Sequence, residues 1–331
     1  WLYFNDKGEP TTKQNYDTGD VEQLDKSGVV ITRYHLKGEE ADGKVIGYYS
    51  CGIIKEELEY VAGVQQGMSR HYFRTGQLEQ EFAVKNDSIH GAFKTWFDNG
   101  SPKIEKGFLN GKLSGTYTEY FRNGKIKITG RNEGGLAQGE WKYYDRWGRL
   151  SEKRTYKDDI RTSSALYDAS GKITEKAGYD AEGKLHGETS IYHEGVLWYT
   201  SNYEHGKPKR FTYYDKTGKV IGDFQEAKGE LKGKAYFPTG QLNSEYLYKN
   251  GLAEGLWTYY HRSGIVSSKY TYHEDKLNGE GLTYHESGVL KSRLMYKDGN
   301  GHGLYQEYFL HGKKRGMGGV GFYIKSILRS R

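Results

Sequence analysis

The sequence predicts an all-β fold, an elongated single-layer antiparallel sheet of about thirteen tandem 24-residue hairpins. Three observations predict it. Glycine recurs on a fixed period, an aromatic residue stands at a fixed offset from it, and the composition is too poor in aliphatic side chains for an ordinary core. Of 331 residues, 46 are Gly and 31 are Tyr, against 3 Met, and 35% are hydrophobic. Tyr and Trp combine an apolar body with a polar tip, which suits a layer thin enough for water to reach both faces.

The period is explicit. Gly19, Gly43, Gly67, Gly91, Gly115 and Gly139 are 24 residues apart, and the series resumes at Gly187, Gly233, Gly255, Gly279 and Gly303. A second glycine follows nine positions later in most units and forms an unbroken series of fourteen from Gly8 to Gly312. An aromatic residue precedes twelve of these by four positions, Leu24 and Ile191 being the exceptions. Tyr72, Trp96, Tyr120, Tyr144, Tyr260, Tyr284 and Tyr308 are thereby assigned as structural aromatics of the repeat.

Each unit reads as a hairpin. Between Gly255 and Tyr272, two runs rich in aromatic and β-branched residues flank a polar turn closed by Gly264. Asp98-Asn99-Gly100 and Arg122-Asn123-Gly124 place residues tolerant of positive φ where a tight reversal needs them. A second connection, such as Asn110-Gly111, returns the chain to the next hairpin, and helical periodicity is absent. The organisation read from this is an N-terminal partial repeat at 1–18, a repeat array at 19–312 and a basic C-terminal tail or cap at 313–331.

The array is irregular at 158–240. Thr162 and Lys209 replace the opening glycine, Ile191-Tyr192 shifts the aromatic by one, and Pro208 and Pro238 fall in the same stretch. Proline cannot donate to a ladder and is confined to turns, edges or bulges. A kink or partner-docking segment is one reading, and drift in a length-tolerant array is the other.

The pattern Gly-x-x-x-x-Tyr-[Tyr/Phe]-x-x-Gly-x-Leu-x-x-x-x-x-Tyr-x-x-Gly-x-x-x-Gly resembles the MORN repeat, in particular its bacterial variant in YwqK-like, antitoxin-labelled proteins. Gly67 to Gly139 fits best, 19–312 is covered, and the His-Gly ending of that family recurs at His90-Gly91, His186-Gly187 and His302-Gly303. The resemblance implies a single-layer sheet of stacked hairpins acting as a scaffold, sometimes at membranes.

Charge and spacing then limit function. The net charge of +6 comes from a tail that carries Lys313, Lys314, Arg315, Lys325, Arg329 and Arg331 and no acid; without these six, the 49 basic residues equal the 43 acidic ones. A formally neutral body lacks the electrostatic footprint of a nucleic-acid binder, so nucleic acid is not expected as a partner. The tail, with Phe322 and Tyr323 among its bases, is assigned as a partner-binding segment; capping the last hairpin and lying on an anionic membrane surface are the other roles open to it. No metalloprotease helix, nucleophile elbow, phosphate loop or calcium loop is present. Gly316-Met-Gly318-Gly-Val-Gly321 fits a dinucleotide fingerprint but lacks its βαβ setting. The histidines read as polar residues before turn glycines, since metal ligation needs converging ligands. No catalytic residue, cofactor, metal or small-molecule substrate is expected, and one cysteine, Cys51, rules out an internal disulfide.

The sequence opens at Trp1 instead of Met, so a preceding segment is expected, and a cell-envelope or secreted setting is favoured over the cytoplasm. The function expected is that of a non-enzymatic scaffold for protein–protein interaction, a subunit of a larger envelope-associated assembly. The alternatives are a membrane-associating module and an antitoxin-like neutraliser of a partner protein.

Overall fold

The structure, a computed structural model, describes residues 1–319 and contains 31 strands and no helix among them. Contacts divide the chain into two compact units, Trp1–Arg161 and the part from Thr162 onward. In each, successive strands pair antiparallel with their neighbours in sequence, so the all-β hairpin array expected from the glycine period is the fold that forms.

Two kinds of turn alternate. At the first, of which Asp145–Gly148 is typical, the Gly148 N–H donates to the Asp145 carbonyl at 2.9 Å and the Asp145 N–H donates to the Arg149 carbonyl at 2.9 Å. Gly148 has φ 86°, a conformation that costs other L-residues energy but not glycine. Asp145 Oδ1 caps the turn by accepting the N–H groups of Trp147 and Arg149. Aromatic residues replace this Asp at Phe73, Phe97 and Phe121 with the backbone bonds unchanged. Thirteen of the fourteen glycines in the unbroken series close a turn of this kind; the exception, Gly195, follows Glu194 in a two-residue reversal of the second kind.

The second kind is a two-residue reversal with both residues at positive φ, such as Asn110 (48°) and Gly111 (77°), the type I′ geometry whose twist matches the flanking strands. These turns hold one another. The Gly111 N–H donates to Ile89, Gly135 to Leu113 and Gly299 to Leu277, each 22 residues earlier. Where Asp is the second residue the bond is doubled: Asp159 donates its N–H to the Ala137 carbonyl and accepts the Ala137 N–H on Oδ1. The opening glycines Gly91, Gly115 and Gly139, also at positive φ, lie where the strand register shifts, so they absorb a bulge.

In unit 1 the two faces differ. Directly opposed residues share a face, and one cross-strand row runs Ser69, Phe82, Phe93, Lys106, Tyr117 and Gly130. Trp141 continues it by lying across Gly130, whose backbone is ordinary but whose missing Cβ would otherwise fall inside the indole. The other face carries Glu57, Arg70, Glu81, Lys94 and Glu105, five charges of alternating sign, followed by Thr118.

Unit 2 contains a break. One sheet has its last strand at Val220–Gln225, and a second begins at Glu230–Tyr236 and runs to Lys314–Gly319. At the break the aromatic faces of the two sheets pack together. Phe211 lies 5.6 Å from Tyr246 and 6.2 Å from Tyr248, Tyr213 lies 5.6 Å from Tyr236, and Leu231 is 1% exposed among them. The break falls inside the irregular stretch, and Pro208 sits at a register shift, where a missing N–H does least harm. The single layer is therefore doubled at this point, and the doubling produces a fully buried core.

Two expectations follow. Gly130→Ala should lower the stability of unit 1 by about 1–3 kcal/mol, as overpacking does, whereas in a Trp141→Ala background the same change should cost under about 0.5 kcal/mol. Urea midpoints of the four proteins measure this coupling; an equal cost in both backgrounds would refute the steric account. Burial, with Tyr203 and Glu175 nearby, pushes the Tyr199 hydroxyl up to about 12, and burial raises Tyr213, Tyr246, Tyr248 and Tyr259 in the same direction. The folded state holds protons that the unfolded chain releases near pH 10, so this stability is complete below about pH 10 and is lost as pH rises through 12. Tyrosinate absorbance should rise together with loss of sheet circular dichroism; ionisation at ordinary values with the sheet intact would contradict it.

Candidate interaction surface

The aromatic row of unit 1 forms two ring clusters with Lys106 between them. His71 and Phe82 have ring centroids 5.9 Å apart, Phe82 and Phe93 5.5 Å, and Phe93 and Phe108 5.7 Å. The Lys106 ammonium sits 4.6 Å from the Phe93 centroid and 5.2 Å from that of Phe108, and burial lowers its pKa. Beyond it Tyr117 meets Trp141 at 5.4 Å, and Trp141 meets Tyr156 at 6.1 Å. Arg154 lies 4.4 Å over Tyr143 while Glu152 holds its guanidinium with bonds of 2.6 and 2.8 Å. Each such ring pair is worth about 0.5–1.5 kcal/mol beyond its buried area. None of Phe82, Phe93, Tyr117 and Trp141 reaches the burial of the unit 2 core, where Tyr213 is 5% exposed. This is a half-buried aromatic strip with fixed cations.

The repeat aromatics assigned from the sequence lie elsewhere. Tyr72 and Tyr120 stand on the charged face of unit 1, and in each the hydroxyl donates to a glutamate fifteen residues earlier, Glu57 and Glu105; Tyr260 does the same to Glu245 in unit 2. Trp96 and Tyr144 occupy the same strand-end position, opposite Pro102 and Leu150. Tyr308 donates to Gln306 within its own strand, while the Tyr284 and Tyr308 carbonyls lie 3.2 Å from the imidazoles of His261 and His285 in the preceding turns. The residues of the strip were missed by the glycine-offset rule, although the signal was present. Phe93, Tyr117 and Trp141 stand three positions before Trp96, Tyr120 and Tyr144, and an odd offset in a strand reverses the face.

At the turn edge of the same unit Trp147 is exposed, with the guanidinium groups of Arg146 and Arg149 at 4.3 and 4.8 Å from its ring. Lys125 Nζ donates to the Trp147 carbonyl at 2.6 Å, which ties this turn to the one before it.

Unit 2 offers two features of different chemistry. A groove of about 490 Å³ is lined by polar side chains, among them Glu188, Asn202, Lys209, Arg210, Thr212 and Asp223. Arg210 and Asp223 are paired across it at 2.8 and 2.5 Å, and this pairing holds the Asp223 carboxyl below its ordinary range. Among the described residues one trio, Asp180, His186 and His205, places potential metal-ligand atoms within 4.8 Å of one another.

Of the tail, Lys313 is exposed, Lys314 pairs with Tyr308 at the start of the strand Lys314–Gly319, and Arg315 lies 5.6 Å over Phe309 and 3.5 Å from Glu307. These residues are thus brought onto the final hairpin. Phe322, Tyr323, Lys325, Arg329 and Arg331 lie outside the described residues.

The family model described as the MORN repeat variant matches residues 113–131, 230–250, 253–274 and 277–298, and each match corresponds to one hairpin. No curated protein matches the chain. Among solved structures, the chain is similar to the Photorhabdus luminescens Tc holotoxin pore at 14% identity and a TM-score of 0.19, covering 95% of this chain and 18% of that one. It is also similar to the TcdB2-TccC3 crystal structure, at 12% identity and a TM-score of 0.19, covering 96% and 24%. The chain spans less than a quarter of the length of either. Four of its hairpins, one in the first unit and three in the second, are thus MORN repeats of the variant type.

Proposed function

We propose that this protein is a non-enzymatic repeat scaffold that binds another protein across the aromatic strip of unit 1, as a subunit of a larger, envelope-associated assembly. MORN repeats are generally modules of protein or membrane interaction. The observation that carries the choice of face is the strip from Phe82 to Tyr156, two clusters of rings with cations between and over them, held in fixed geometry yet only half-buried. Interface cores favour Tyr, Trp, Phe and Arg, and rigid aromatics lose little side-chain entropy when they are covered. The opposite face, whose charges are already matched across strands, has less to gain from a partner. An antitoxin-like neutraliser is the special case in which the bound protein is toxic.

The experiment is face-specific photocrosslinking in the native source, with a benzophenone side chain placed at Phe93 on the strip or at Thr118 on the charged face. Neither position is in a turn, so the fold should survive both. A stoichiometric protein adduct at position 93 and none at 118 is the expected result. Lipid adducts alone, abolished by truncation after Gly312, would replace this reading with the membrane-associating one.

A further inference from the structure

We propose that Asp180, His186 and His205 form a binding site for one divalent transition-metal ion of the zinc class in unit 2. The inference stands apart from the scaffold reading and uses none of the aromatic strip.

All three ligands are fixed by backbone. Asp180 opens a four-residue turn where the array elsewhere has a two-residue reversal, in which the Gly183 N–H donates to the Asp180 carbonyl and the Asp180 N–H donates to that of Lys184. Its Oδ1 accepts the Glu182 and Lys184 N–H groups at 3.0 and 2.9 Å, which commits that oxygen to the turn and leaves Oδ2 toward the histidines. His186 is anchored by its N–H on the Gly178 carbonyl at 3.0 Å. His205 occupies the first position of a two-residue turn, φ 47°, whose Gly206 N–H is bound to Leu185 at 2.8 Å. This turn ladder is the one that runs through the array, and here it brings two imidazoles to a centroid distance of 5.2 Å. His205 Nδ1 lies 2.8 Å from Asp180 Oδ2.

Elsewhere among the described residues the same register joins at most two such ligands, as where His273 meets Glu254 at 3.2 Å. His90 faces Asn110 at 3.2 Å, and Gln66 faces Asn86 at 2.7 Å. Among the described residues, only at His186 does the turn opposite also carry a histidine while a four-residue turn supplies a carboxylate. Lys184, the nearby cation, is paired with Glu182 at 2.7 Å and does not take the Oδ2 position. Tetrahedral zinc at about 2.0–2.2 Å from each ligand needs ligand atoms about 3.4 Å apart, which the exposed imidazoles reach from the present 2.8–4.8 Å by small rotations. Two imidazoles and one carboxylate suit zinc, nickel or copper, and a fourth position is left open to water or to a partner's side chain. The ion would fasten this four-residue turn to the next hairpin.

The test is calorimetric titration of the full chain, stripped with chelator, with Zn²⁺, and with Co²⁺ followed by its visible absorption. One saturable site is expected, with a tetrahedral cobalt spectrum. His186→Ala and His205→Ala, both at exposed positions, should each weaken binding at least tenfold; His90→Ala should leave it unchanged. Asp180→Asn keeps the Oδ1 acceptor that the turn uses, so it should weaken binding with circular dichroism unaltered. Absence of saturable uptake, or uptake unchanged in the His186→Ala/His205→Ala double variant, would overturn the proposal.

Discussion

A sheet one layer thick has no second layer to bury its faces, so nearly everything in this protein depends on contacts between neighbouring strands. Both faces of unit 1 meet that constraint, with different means. On one, rings stack across successive strands and cations lie over them; on the other, charges alternate in sign and tyrosine hydroxyls reach back to glutamates of the preceding repeat. Exposed ion pairs contribute little individually, about 0–1 kcal/mol, whereas stacked rings exclude water from one another. The aromatic face therefore supplies most of the cohesion, and it is also the face with most left to bury.

The dependence on neighbours explains the glycine content. A ring that must lie flat on the sheet needs a strand position without a side chain, as Gly130 provides beneath Trp141. A hairpin that must reverse within the thickness of the layer needs positive φ, as Gly148 provides. The aromatic excess and the glycine excess are thus two halves of one packing solution.

The fold was largely legible because the turns are encoded by single residues at fixed spacing; the unbroken series from Gly8 to Gly312 marks turns that the structure builds. The candidate surface was less so. The offset of four from glycine singled out Tyr72 and Tyr120, which serve the charged face, and passed over Phe93, Tyr117 and Trp141, because one periodic signal masked another of opposite facing. The buried core of unit 2 was not legible at all. Phe211, Leu231 and Tyr246 meet only because two ladders fold onto one another, a long-range event that leaves no local pattern beyond the slips in spacing around Thr162 and Lys209. The trio of Asp180, His186 and His205 was hidden likewise, since its members converge through turn stacking and not through proximity in sequence.

The turn ladder bears on how such a chain can change length. Most two-residue reversals are bound to a carbonyl 21 or 22 residues before them, beside the preceding connection, and none of these bonds reaches further back. Duplicating or deleting a block of 24 residues would therefore restore every partner, because the new neighbours present the same acceptors at the same places. Adding a single residue within a strand would instead exchange the two faces from that point to the next bulge, setting rings where charges had been. Whole-unit copying is the inexpensive route for this architecture, and the gene can lengthen or shorten its product in steps while the chemistry of each face is preserved.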